Sequence, residues 1–443
     1  MRLEVLKAAN FGATAIYPDS PEYESKRRVW NGLIDRHPAA IVQASAIDDI
    51  LKVVAVAQRT GLPLAVRGGG HSLPGLSTCD DGLVLDLSQM NSIVVDPTTR
   101  TARVEGGALL GNLDAAGASH GLVVPAGVVS HTGAAGLTLG GGMGWLSRRF
   151  GLTIDNLRSV EIITANGDVI RASDENEPEL FWGVRGGGGN FGIVTKFHFG
   201  MHKLGAVTAG SWEYGHAHSR TALLRLADLA KAAPREFTTA FNVTKARLSV
   251  TAFHSGIAKG CDKLLASFGQ LAGAGIRSYG SNDFRVFQSR SDEHVRWGRR
   301  TYAKGGYLGA LDGETIDCMI AAMKSSPSPD SEIYVIQLGG AISDVSDDAT
   351  AYTGRAAQFY WIVQPIWDDA ELDVACLAWG RKIAAQMTAF SMDGNYVNEQ
   401  ADFGGELALK AYGAQKFRRL QKLKARFDPA NLFKLNQNIL PKA

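Results

Sequence analysis

Residues 46–60 carry apolar side chains at helical spacing, and Gly61 follows where a left-handed cap would end the helix. The runs 62–66, 82–90 and 101–105 are short and rich in β-branched and other apolar residues, which predicts strands. Residues 108–120 predict a helix, 160–172 a hairpin turning at Asn166-Gly167, and 193–199 a further strand. Past Gly205 glycine thins out. Strands are expected at 236–243, 248–253, 332–338 and 359–364, and a helix at 258–271. A basic amphipathic helix over 411–427 is stopped by Asp428-Pro429. The mixture predicts an α+β chain whose texture changes near Leu204, with the C-terminal segment returning to the first domain.

Glycine changes this picture most. Of the 51 glycines, many fall in three clusters: Arg67-Gly68-Gly69-Gly70-His71-Ser72, Gly133 to Gly144, and Gly186 to Gly192. The third satisfies G-x-G-x-x-G, but a strand follows it where a dinucleotide fingerprint needs a helix. No Gly-Lys dipeptide exists for a nucleotide-triphosphate loop. What remains is several backbone stretches free of side-chain obstruction, suited to a pyrophosphate cradled by amides.

Charge points to no polyanion: 46 Lys+Arg against 44 Asp+Glu leave +2, without a basic run. Nucleic acid is not expected as a partner. No apolar stretch reaches the roughly 18 residues a membrane span needs, so a cytoplasmic protein without a membrane partner is expected. Cys79, Cys261, Cys318 and Cys376 lie far apart, which predicts reduced thiols rather than a zinc site or disulfides. His216-Ala217-His218 lacks a third ligand in spacing, so no metal is expected.

The segment Arg67 to Ser72, with Pro63 to Val66 before it and Gly82 to Leu87 after it, resembles the flavin attachment loop of vanillyl-alcohol-oxidase-type (PCMH-type) FAD-linked oxidoreductases. It looks most like their berberine-bridge-enzyme-like and 6-hydroxynicotine-oxidase-like subgroup. The likeness continues through AGVVSHTGAAGLTLGGGMGW (126–145), ELFWGVRGGGGNFGIVT (179–195) and the asparagine-rich tail from Phe427 to Ile439. It implies a two-part PCMH-type FAD-binding domain at 38–204 and a substrate domain at 205–394 with an antiparallel sheet covered by helices. A berberine-bridge-like segment at 395–443 would return to the FAD domain.

By the same likeness His71 would bond covalently to the 8α-methyl of FAD. Arg67, Gly68, Gly69, Gly70 and Ser72 would wrap the pyrophosphate. Gly127, Val128, Ser130, His131, Thr132, Gly133, Gly136, Gly140, Gly141, Gly142, Gly144 and Trp145 would pass beside the ring, with Gly192, Ile193 and Val194. Asn398, Asn436 and Asn438 would close the pocket. Many relatives add a second link through a cysteine at the position of Val129. Valine forms no thioether, so one bond, through His71 only, is expected. Leu137 is a second departure, standing where some relatives place a histidine.

Tyr396 matches the tyrosine that sugar-oxidising relatives hold over the flavin and is the candidate base, provided a neighbouring charge lowers its phenol from about 10. Tyr302, Lys304, Gln337, Tyr360 and Trp367 are weaker pocket candidates, Lys304 as the depressing charge. The resemblance implies hydride removal from a CH–OH or CH–NH group of a small molecule. O2 giving H2O2 and another acceptor, as in a dehydrogenase or oxidative cyclase of secondary metabolism, both stay open, as does the oligomeric state. A noncatalytic scaffold would require a degraded site, and His71, Tyr396 and the tail are intact.

Overall fold

In the computed structural model, which describes residues 2–9, 11, 15–256 and 262–442, the predicted helix forms at Ile47–Thr60 and ends on Gly61 at φ 66°. It crosses between parallel strands: Ala40–Gln43 and Leu64–Arg67 both pair with Leu83–Asp86, and Ala15–Ile16 adds an antiparallel edge. The expected 82–90 strand stops at Asp86 because its carboxylate accepts Ser88 N–H and turns the chain. A second, antiparallel sheet runs Ile93–Asp96, Thr101–Glu105, Ile193–Gly200, Leu157–Ile163, Val169–Ser173, the last two forming the predicted hairpin.

The third sheet has seven antiparallel strands: Gly275–Asn282, Val207–Tyr214, Leu248–His254, Phe237–Thr244, Glu332–Gln337, Phe359–Gln364 and Lys304–Leu308, in that spatial order. Its two faces differ by strict alternation. Phe241, Val243, Val250, Ile333, Val335, Trp361 and Val363 pack under helices His216–Ala232, Gly313–Met323 and Asp373–Thr388. The intervening residues form the other face and turn toward the glycine clusters. The sheet covered by helices was thus visible in part. The three covering helices and the strands at 207–214, 275–282 and 304–308 were not, because their apolar spacing is interrupted by polar residues. The helix expected at 258–271 is seen as Asp262–Gly269; Cys261 and residues 257–260 lie outside the described residues.

The C-terminal helix begins earlier than its pattern suggested, at Gly405, with a break at Gly413 (φ 71°), and runs to Phe427. Ala408, Tyr412, Leu420, Leu423 and Phe427 pack with Phe181 and Val184 of helix Pro178–Val184 and with Phe191 of the third glycine cluster. Lys424, fully buried, donates to Asp428 (2.6 Å), Asn190 O (2.8 Å) and Phe433 O (2.9 Å), and fixes the tail beside the third glycine cluster. Among the described residues no helix is long and apolar enough to cross a membrane.

Candidate active site

The glycine clusters converge from different elements onto one cavity of about 720 Å³, toward the upper end of the roughly 300–1,000 Å³ of ligand pockets. The loop leaving strand Leu64–Arg67 forms its rim. Gly70 sits at φ 68°, which a side chain resists, and a Cβ on Gly69 would stand 2.3 Å from Gly133 N. Two glycine clusters can approach only because both lack side chains. Gly136, Gly188 and Gly189 have open space or nearly so where a Cβ would stand, and all three line the cavity. The second cluster is partly helical (Ala134–Gly140) rather than loop throughout.

His71 stands at this rim, stacked on Trp30 with ring centroids 4.0 Å apart. Its Nε2 lies 3.0 Å from Nδ1 of His131. Burial, and then the neighbouring His131, push its pKa down to about 3, so the imidazole is neutral at physiological pH. Among the described residues His131 Nε2 is buried with no protein partner, and so are the side-chain oxygens of Asn436 and Asn438. Buried polar atoms left open around a backbone cradle suit a polar dinucleotide such as FAD.

Of the residues the sequence singled out, Gly68, Gly69, Gly70, His71, Ser72, Gly127, Val128, Val129, Thr132, Gly133, Gly136, Trp145, Gly192, Ile193, Val194, Tyr396, Asn398 and Asn436 line the cavity. Arg67 does not: its guanidinium is spent on Asp86 (2.9 Å) and Lys26 O. Ser130 donates through its backbone N–H (2.9 Å) and its hydroxyl to Asp292, and His131 lies behind His71. Gly140, Gly141, Gly142 and Gly144 do not line it; they give close packing against Asn398, Tyr352, Thr153 and Ala126.

The weaker candidates sit elsewhere. Tyr302 and Lys304 both reach Asp402 (2.8 and 3.4 Å). Gln337 lies on the helix-covered face, accepting from Thr239 and donating to Ala230 O. Tyr360 donates to Asn395, and Trp367 to Asp373. Acidic partners hold Tyr302, Lys304 and Trp367 away from the cavity and strand alternation turns Gln337 from it, whereas Tyr360 is on the open face and packs edge-on behind Tyr396, with ring centroids 5.9 Å apart.

Tyr396 is buried on the cavity wall, its hydroxyl accepting from Gly142 N–H (3.1 Å) and Asn398 Nδ2 (2.9 Å). The expected depressing cation is missing, since Lys304 is engaged by Asp402. Burial raises the phenol well above its ordinary value and Glu399 adds to this, while the two donors offset part of it. Glu399 also lines the cavity, and burial pushes its carboxyl up to about 7. No motif or spacing marks Glu399, nor Arg290, Asn242 and Tyr334, which line the far wall. Asn242 and Tyr334 meet through strand register, whereas Arg290 and Glu399 come from the short turns Ser289–Ser291 and Val397–Glu399.

Residues 38–173 match the FAD binding domain family and 395–440 the berberine and berberine-like family. An FAD-linked oxidoreductase of Dictyostelium discoideum is 32% identical over 430 residues, covering 95% of this chain and 93% of that protein. The structure of 6-hydroxy-D-nicotine oxidase from Arthrobacter nicotinovorans superposes with a TM-score of 0.89 at 26% identity, covering 97% and 98% of the two chains. Glucooligosaccharide oxidase from Acremonium strictum, which carries a 6-S-cysteinyl, 8α-N1-histidyl FAD, gives 0.88 at 23%, covering 100% and 99%, and supports the fold. With its glycine cradle, its α+β architecture and this full-length likeness, the chain belongs to the berberine-bridge-like FAD-linked oxidoreductases.

Proposed function

We propose that the protein is an oxidase holding FAD through a single covalent bond to Nδ1 of His71, and removing a hydride from a CH–OH or CH–NH group of a small organic substrate with O2 as acceptor. The observation that carries this reading is the His71 to His131 contact at 3.0 Å on a neutral imidazole at the cradle's rim. If His71 keeps its proton on Nε2 and donates it to His131 Nδ1, its Nδ1 lone pair is free to bond. His131 then carries its own proton on the partnerless Nε2. Bound there, the flavin supplies a two-electron acceptor whose potential a covalent substituent raises.

The chain's own residues do the rest. Gly68 to Ser72 and the tail asparagine Asn436 enclose the cofactor, and Val129 occupies the position of the second link without the chemistry to form one. Tyr396 takes the substrate O–H or N–H proton as phenolate, with the Gly142 and Asn398 donors holding its oxygen. The division at 38–204, 205–394 and 395–443 is supported by the separate sheets and by the helix returning over 405–427. Peroxide assay of aerobic turnover tests the acceptor: one H2O2 per substrate supports an oxidase, whereas turnover only with added dye makes the protein a dehydrogenase.

A further inference from the structure

The wall of the cavity opposite the glycine clusters is the open face of the seven-stranded sheet. Neighbouring strands there place Asn242 beside Tyr334, and Thr244 beside Glu332, on one face. Such a face is polar and recognises a polar molecule. Most of its charges are already used. Arg247 pairs with Glu213 (2.5 Å), and Glu332 accepts from Asn242 and stands 3.7 Å from His294.

Arg290 is the exception. Its guanidinium faces the cavity, 4.3 Å from the ring of Trp145 and 4.0 Å from that of Phe287, which fix its plane from the apolar side. Among the described residues it makes no ion pair and no hydrogen bond. Its side chain is exposed to the cavity, but the surrounding protein mass desolvates it without a counter-charge and lowers its pKa to about 10, which still leaves it charged. Beside it the Tyr334 hydroxyl has no partner among the described residues and is under the influence of the Arg290 charge. A guanidinium that is accessible from the cavity, with free N–H donors and a neighbouring hydroxyl, lacks one thing, an anion with two oxygens.

We propose that Arg290 and Tyr334 form an anion subsite that anchors the carboxylate of an organic acid, so that the substrate of this enzyme is a small carboxylic acid bearing the oxidisable CH–OH or CH–NH group. This rests on reading the cavity as the substrate site. The Arg290 fork accepts the carboxylate in the bidentate manner, Tyr334 donates to one of its oxygens, and the remainder of the molecule extends toward Tyr396. A sugar or amine without an acid group leaves the guanidinium unpaired and binds less well.

Calorimetric titration of the flavin-loaded protein with benzoate and with its uncharged counterpart benzamide tests the subsite without needing turnover. Benzoate is expected to bind about 10-fold or more tighter than benzamide, the scale of one hydrogen bond to a charged group. Arg290→Met is expected to remove that preference while leaving benzamide affinity within about 2-fold, Arg290→Lys to keep part of it, and Tyr334→Phe to reduce it. Equal binding of the two probes by the wild type, an undiminished preference in Arg290→Met, or binding of neither probe would each overturn the proposal. If preparations carry His71-linked flavin and make peroxide yet show no acid preference, the anion subsite fails and the oxidase reading stands. An acid preference in protein without peroxide formation has the opposite meaning.

Discussion

Nε2 of His71 lies 3.0 Å from Nδ1 of His131, and the two rings, 5.0 Å apart, are tilted by 38° with Trp30 stacked on the far side of His71. One histidine thereby sets the tautomer of the other, as second partners do for catalytic and metal-binding imidazoles. His131→Ala should leave FAD bound but slow or abolish its attachment, because His71 can then keep its proton on Nδ1. The fraction of flavin released by acid precipitation measures this. Attachment at the wild-type rate would leave His131 without a part in flavin attachment.

The environment of Tyr396 predicts a definite pH dependence. Burial and Glu399 hold the phenol above its ordinary value, so the phenolate fraction grows with pH through the accessible range. Anaerobic flavin reduction followed by stopped flow should accelerate with pH without a plateau below about pH 10, and Tyr396→Phe should cost roughly 10²-fold or more. A plateau with a midpoint near 7 that vanishes in Glu399→Gln would instead assign the base to Glu399, whose carboxyl titrates at about 7.

Much of the glycine-lined side of the cavity is legible in the amino-acid sequence, because His71, its glycines and Asn436 sit in short contiguous motifs whose meaning does not depend on distant residues. The substrate side is not. Asn242 and Tyr334 are brought together by strand register across the sheet, and Arg290 lies in the short turn Ser289–Ser291, which has no periodicity to read. Lys304 and Gln337 illustrate the converse: their residue types fitted a pocket, but Asp402 captures one and strand alternation turns the other under a helix. Arg67 is similar, a cation next to a phosphate-type loop whose charge Asp86 takes.

Asp114 is a buried carboxyl on helix Leu110–Ala118 whose Oδ2 has no partner among the described residues, and burial pushes its pKa up to about 7. The unfolded chain ionises it near the usual 3.8, so the folded state is the one that retains the proton. Its contribution therefore favours folding below pH 4 and is lost as pH rises from about 4 to about 7, by as much as roughly 4 kcal/mol. Asp114→Asn should flatten that part of the stability curve and stabilise the protein at pH 8. Urea midpoints at pH 5 and pH 8 check this, and an unchanged slope would contradict it.

Lys424 and Asp428 are both fully buried and bonded at 2.6 Å, with Asp428 also accepting from Leu432 and Phe433 N–H. Lys424→Met leaves that carboxylate without its counter-charge and Asn190 O without this donor, while Phe433 O keeps the bond from Asn436 Nδ2. The expected loss is about 3–5 kcal/mol, seen as a lower urea midpoint at constant m, with weaker flavin retention because the tail carrying Asn436 loosens.

The most direct test of the covalent, single-link flavin is to acid-precipitate the purified protein, digest it, and locate the flavin mass among the peptides. Yellow colour is expected to stay with the polypeptide, with one FAD adduct that maps to His71 and disappears in His71→Ala. Flavin released into the supernatant, or an adduct on any other residue, would contradict the single histidyl link.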